Sequence, residues 1–221
     1  MKQQKSHLFL VLCLHRSGSS ATAGVMNELG IHMGRRLLGS SDYNAKGHFE
    51  NRKFVNLNNA ILRSVNHSWN QPPSRHIVQT TPITTEKIIK HLSTEVQPFW
   101  GLKDPRTLLT LDVLLPALKQ LATITYVFIH RPLQSSIHSL ARRNQYRKRK
   151  ARKILTPYWN NFHHYRYTSN IDKEQIIDID YEQMINDPTP YVYQFNSILG
   201  KERSDHLNSV IKFLDPHLKN Y

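Results

Sequence analysis

Leu8-Phe9-Leu10-Val11-Leu12-Cys13-Leu14 runs without a polar residue and then breaks into His15-Arg16-Ser17-Gly18-Ser19-Ser20. An apolar run of strand length with no alternation predicts a strand buried on both faces, as in a parallel sheet. Beyond the break, Ala21, Val25, Met26 and Leu29 recur at helical steps and Gly30 supplies a stop. The unit therefore reads strand, short polar loop, helix. A loop in that position aims backbone N–H groups at an anion. Gly18 lets the backbone approach closely, and Ser17, Ser19 and Ser20 add hydroxyl donors. Arg16 adds a permanent planar cation suited to phosphate or sulfate oxygens. The loop is neither Gly-x-x-x-x-Gly-Lys-[Ser/Thr] nor Gly-x-Gly-x-x-Gly, which counts against a kinase and a dehydrogenase.

Outward from this unit, residues 31–50 read as loop. Phe54, Leu57, Ile61, Leu62 and Val65 predict a helix over 50–65. Residues 66–83, with Pro72, Pro73 and Pro82, read as a long surface loop. Thr84 or Thr85 is placed to cap a helix running to about residue 96. A short strand over 99–103 ends in Asp104-Pro105-Arg106, and a helix bent near Pro116 follows over 108–121. Residues 124–129 form the clearest strand. A helix is expected to start after Pro132 and to run on into a basic stretch. Another helix over 155–167, a strand over 175–179 and a helical end broken at Pro188, Pro190 and Pro216 complete the reading. The alternation predicts an α/β fold, a parallel β-sheet flanked by helices on both faces, in a single domain over 1–221.

Of the 221 residues, 39% are hydrophobic and 10% aromatic, as expected of a folded chain and not a disordered one. The lone cysteine rules out an internal disulfide, and Cys13 reads as a small buried hydrophobe. No apolar run approaches the ~18 residues of a membrane span, and no small-residue cleavage site follows the early run. A soluble, cytoplasmic protein is expected. The net charge is +14. Eight of the 30 basic residues fall in the acid-free stretch 142–153, leaving 22 against 16 acids elsewhere. Such a surface favours nucleotides, sulfated or carboxylated glycans, nucleic acid or acidic lipid. Tyr146 is the only aromatic in the stretch, so the stacking pattern of a nucleic-acid arm is poor and a solvated helix face is expected.

The residues from Leu14 to Ser20 resemble the 5′-phosphosulfate loop of sulfotransferases that use 3′-phosphoadenosine 5′-phosphosulfate (PAPS). In that family a Lys or Arg precedes Ser-Gly-[Thr/Ser]-[Thr/Ser], a position matched by Arg16. The resemblance implies donor contacts from His15, Arg16, Ser17, Gly18, Ser19 and Ser20. Val127-Phe128-Ile129-His130-Arg131-Pro132, continuing to His138-Ser139-Leu140, is similar to the family's 3′-phosphate site. There an Arg ends a strand and a Ser follows eight residues later, the spacing of Arg131 and Ser139. Many members place one residue between the Arg and the Pro, which are adjacent here. Ile179-Asp180-Tyr181-Glu182-Gln183-Met184 looks like the strand-end Tyr-Glu-Asp segment, which implies that Tyr181 lies near the adenine. Asn44-Ala45-Lys46-Gly47-His48-Phe49-Glu50-Asn51 and Trp100-Gly101-Leu102-Lys103-Asp104-Pro105-Arg106 are similar to segments of bacterial-type members. These matches follow the family's order over most of the chain and imply its P-loop NTPase-like fold. The Arg-Lys-Gly-rich segment that cytosolic animal members wrap around the 3′-phosphate is missing, so other basic residues are expected there.

The implied reaction is in-line transfer of a sulfuryl group to a hydroxyl or amine of a small-molecule, lipid or glycan acceptor. Glu50 matches the family's Gly-aromatic-Glu context and is the expected base. His48 is the rival, because imidazole titrates near working pH. Arg16 and Lys103 are the expected charge stabilisers, with Lys103 at a strand end where ligands collect in open α/β sheets. Asp104 and Arg106 are read as an internal brace. The pair His48 and Glu50 has no third ligand at a sensible spacing, so no metal is expected. The acceptor pocket is expected from 31–49, 66–83 and 155–170, the last with Trp159, His163, His164 and Tyr165. Two other classes stand beside this one: a nucleotide or nucleoside kinase with a variant loop, and a non-catalytic anion- or RNA-binding protein.

Overall fold

Four strands, β1 (His7–Leu12), β2 (Phe99–Lys103), β3 (Thr123–His130) and β4 (Ile176–Asp180), form one parallel sheet in the order β2-β1-β3-β4. The structure is a computed structural model and describes residues 6–39 and 47–215. Asn44, Ala45, Lys46 and Pro216 lie outside the described residues. Among the described residues ten α-helices accompany the strands: α1 (Ser19–Glu28), α2 (Arg52–Ser64), α3 (Arg75–Val78), α4 (Thr85–Leu92), α5 (Thr107–Leu121), α6 (Leu133–Asn144), α7 (Lys148–His163), α8 (Tyr181–Asn186), α9 (Thr189–Leu199) and α10 (Leu207–Leu214).

The unbroken apolar character of β1 follows from its place in the middle of the sheet. Leu8, Leu10 and Leu12 point to one face, where Phe54 of α2, Ile88 of α4, Leu111 of α5, Leu140 of α6 and Leu155 of α7 cover them. Phe9, Val11 and Cys13 point to the other, under Val25 of α1, Phe195 of α9 and Val210 of α10. Cys13 is fully buried, and burial pushes its thiol up to about 11. The chain leaves β1 toward β2 on one side, then crosses back to β3 on the other. The connections thus diverge between β1 and β3, and a crevice opens at the carboxyl ends of those two strands.

Three expectations change. Asn51 caps α2 by accepting from the backbone N–H groups of Lys53 and Phe54, so Glu50 precedes the helix and does not open it. Asn is a strong cap and Glu is not. The helix after Pro132 stops at Asn144, where Gln145 turns left-handed at φ 52°, and α7 restarts at Lys148. The basic stretch is therefore split between two helices, and α7 begins earlier than expected and runs through Pro157. Finally, the loop 66–83 contains the short helix α3, capped by Ser74.

At the sheet edge, Asp178 of β4 accepts from His130 Nε2 at 2.6 Å and from Arg166 Nε at 2.7 Å. Burial opposes its ionisation, but the hydrogen bonds and charges of His130 and Arg166 prevail and hold the carboxyl down at about 2. A depressed carboxylate stabilises the fold above its ordinary value, 3.8, and loses that contribution as pH falls through the folded value. Asp178→Asn is expected to lower stability at pH 6 by about 1 kcal/mol or less, since the site is solvent-screened. Urea titrations of both proteins should show the gap closing between 3.8 and about 2.

Candidate active site

The loop after β1 is held by its own backbone. Ser17 donates its hydroxyl to the Leu14 carbonyl at 2.8 Å, which closes the turn and uses that side chain internally. Arg16 and Gly18 both adopt positive φ, 66° and 86°, and Gly18 is the N-cap of α1 without a side-chain cap. The first turn of α1 opens with Ser19 and Ser20, directly after this turn. The ring of Tyr181, first residue of α8, lies so close over Gly18 that a Cβ there would fall 2.0 Å from Cδ2. Glycine is therefore required at this position twice, by conformation and by contact.

β3 delivers the opposite wall. Arg131 donates from Nη1 to the Arg16 carbonyl at 2.8 Å, and its guanidinium stacks 4.9 Å from the centre of the Tyr181 ring. Its Nε is buried without a partner. Arg16 in turn donates from Nε to Ser139 Oγ of α6 at 3.1 Å. Arg131 is thus tied directly to the loop that leads into Ser19 and α1. Neither Arg16 nor Arg131 has an ion-pair partner among the described residues. Burial, then the charges of Arg143, Arg131 and Arg142, draw the Arg16 guanidinium below its usual value. Guanidiniums crowded together, one of them with a buried donor left unbonded, attract an anion.

On the other side of the loop, Lys103 at the end of β2 is 2% exposed and bonds three groups. Its Nζ donates to Glu50 Oε1 at 2.8 Å, to the His48 carbonyl at 3.1 Å and to Ser20 Oγ at 3.4 Å. Glu50 Oε2 stands 3.5 Å from Arg106 Nη2. Arg106 is itself clamped on Asp104, Nε to Oδ1 at 2.8 Å, and Asp104 accepts from Asn58 Nδ2 at 2.8 Å. The sequence reading gave Arg106 only a bracing role; its contact with Glu50 was missed, and Asn58, the buried anchor of the network, was not singled out at all. A polar residue at an inward step of α2, between Phe54 and Leu62, was the available signal. The His48 imidazole is held below its ordinary value, chiefly by burial.

His15 turns away from the anion crevice. Its ring packs 5.2 Å from Trp69 and 5.0 Å from Tyr158, and burial followed by the charge of Arg106 keeps it neutral. Tyr158 donates to the Trp69 carbonyl at 2.8 Å, so part of the loop 66–83 is pinned beside His15 and the loop after β1. Trp159 and His163 instead line a cavity of about 190 Å³ with Arg131 and Asp180. Tyr165 is packed away, its hydroxyl on Asp112.

No family model matches the chain, and no curated protein does. Solved structures do. The chain is similar to sulfotransferase STF9 from Mycobacterium avium, at 12% identity and TM-score 0.58, over 98% of this chain and 69% of that one. It is similar to sulfotransferase STF1 from Mycobacterium tuberculosis H37Rv, at 14% identity and TM-score 0.54, over 94% and 71%. The sulfotransferase domain from the curacin biosynthetic pathway aligns at 14% identity and TM-score 0.51, over 92% and 76%. The four-stranded parallel sheet, with its serine-rich loop at the switch between β1 and β3, has the sulfotransferase fold.

Proposed function

We propose that the chain is a PAPS-dependent sulfotransferase, and the convergence of Arg16, Arg131, Ser139 and Tyr181 on the Gly18 loop is the observation that carries the reading. Loop N–H groups and Arg16 would hold the 5′-phosphosulfate, while Arg131, through its unpartnered Nε, and Ser139 would hold the 3′-phosphate. The donor supplies an electrophilic sulfur and a stable leaving nucleotide. In the transfer, the acceptor oxygen forms a bond to sulfur as the bond from sulfur to the bridging oxygen breaks. The electron pair of that bond stays on the leaving adenosine 3′,5′-bisphosphate, and the acceptor proton passes to Glu50. Arg16 and Lys103 offset the charge growing on the oxygens.

Lys103 gives this scheme an order. Without an anion beside Ser20, its charge is committed to Glu50, and Arg106 draws on the same carboxylate. A sulfuryl group beside Ser20 offers Lys103 a second anion and releases part of its hold on Glu50. Glu50 would then be freer to take the acceptor's proton once donor is in place. A kinase would need a lysine the loop lacks, so the fold and the loop together favour sulfuryl transfer over phosphoryl transfer.

Calorimetry is expected to show adenosine 3′,5′-bisphosphate binding well above ATP and single-stranded RNA. Arg131→Ala should weaken that binding by about 10–100-fold, the value of a charge-assisted bond. Preference for ATP or for RNA would overturn the proposal. Gly18→Ala should abolish nucleotide binding, since a Cβ meets Tyr181 and the residue must keep φ 86°. Glu50→Gln is expected to lower kcat by about 10²–10⁴-fold with nucleotide affinity little changed. His48→Asn should keep kcat within a few-fold of the parent. If His48→Asn instead loses as much as Glu50→Gln, the imidazole is the base.

A further inference from the structure

All eight cations of 142–153 are exposed, and none forms an ion pair among the described residues. Elsewhere Arg75, Arg106 and Arg166 each hold a carboxylate. The arrangement works against the fold. Arg147 is the N-cap of α7, and Lys148, Arg149 and Lys150 fill its first turn, with no acid there and no side-chain cap. Positive side chains then face the positive end of the helix dipole. Folding alone gives no reason for that placement, whereas a bound polyanion offsets the repulsion.

The surface leads into the crevice. Ser139, Arg142 and Arg143 stand at positions i, i+3 and i+4 of α6, on one face and one turn apart. Ser139 is bonded to Arg16, and Arg143 acts electrostatically on both Arg16 and His48. The basic track thus starts one helical turn from the anion crevice and continues outward onto α7.

We infer that this track holds an acidic polysaccharide, carboxylated or sulfated, as the acceptor of sulfuryl transfer; the inference rests on the sulfotransferase reading. Such a chain carries anionic groups and free hydroxyls side by side, so the charges dock on α6 and α7 while a hydroxyl reaches Glu50. A lipid surface fits poorly, because the exposed large apolar residues, Ile77, Tyr167 and Ile211, all lie outside the stretch. Single-stranded nucleic acid fits poorly too, because the one aromatic there, Tyr146, is already covered by Lys150 Nζ at 3.8 Å from its ring centre.

The test uses the full chain and a variant with Arg147, Lys148, Arg149 and Lys153 all changed to Gln. The acceptors are a polyuronate and a neutral glucan of equal length, with sulfur-labelled PAPS as donor. The parent should sulfate the polyuronate with a KM at least tenfold below that for the glucan at low salt, an advantage that shrinks as salt is raised. The variant should lose about tenfold on the polyuronate alone, keep its affinity for adenosine 3′,5′-bisphosphate and melt no lower than the parent. Equal KM values for the two acceptors in the parent, or an unchanged polyuronate KM in the variant, overturn the inference. So does tighter binding of single-stranded RNA or of anionic vesicles than of polyuronate. Failure of adenosine 3′,5′-bisphosphate to bind the parent is a separate result and removes the sulfotransferase reading itself.

Discussion

The Arg16 carbonyl accepts from Arg131 Nη1, and this bond joins the carboxyl ends of β1 and β3 where the sheet's connections diverge. Sequence alone separates the two residues by 115 positions. Once joined, the Arg131 charge acts on Arg16, while Ser139 bonds Arg16 and the Tyr181 ring packs on Arg131. The loop, the first turn of α1 and the start of α8 are all positioned by this contact. Among the described residues, neither guanidinium is paired with a carboxylate.

A second network sets the geometry on the β2 side. Asp104 is fully buried and accepts from Asn58, the Arg106 backbone and the Arg106 side chain. Such a carboxylate is tolerable in a core only when its lone pairs are met. Arg106 is thereby fixed in place, and its remaining reach defines where Glu50 stands. The ion pair of Lys103 and Glu50 is therefore the last link in a chain of buried polar contacts that begins on α2 and α5, where Thr110 donates to Asn58 at 2.6 Å.

Much of the sheet could be read directly. The apolar run before His15 gave β1, and the run before Arg131 gave β3, because a strand buried on both faces leaves a pattern that little else imitates. The segment 99–103 matched β2 residue for residue. Helix limits were less legible. Periodicity marks the buried stripe of α2 but not where the cap falls, and Asn51 outcompeted Glu50 for that place. The break at Gln145 carries no glycine or proline signal; it is made by a single left-handed residue whose N–H bonds back to α6. In the site, Arg16, Arg131, Ser139 and Tyr181 lie together, whereas Arg106 acts on Glu50 and Asn58 on Asp104, 46 positions away, contacts which no local pattern encodes.

Gly24 lies in the middle of α1, and the Phe213 ring of α10 occupies the space a side chain would take, its Cζ 2.1 Å from where a Cβ would stand. The last helix is thus a splint laid along the first. Whatever loosens Phe213 shakes the helix whose leading end follows the Gly18 turn, five residues upstream at Ser19. The tail of the chain and the mouth of the crevice therefore share one mechanical unit, although they belong to opposite ends of the polypeptide.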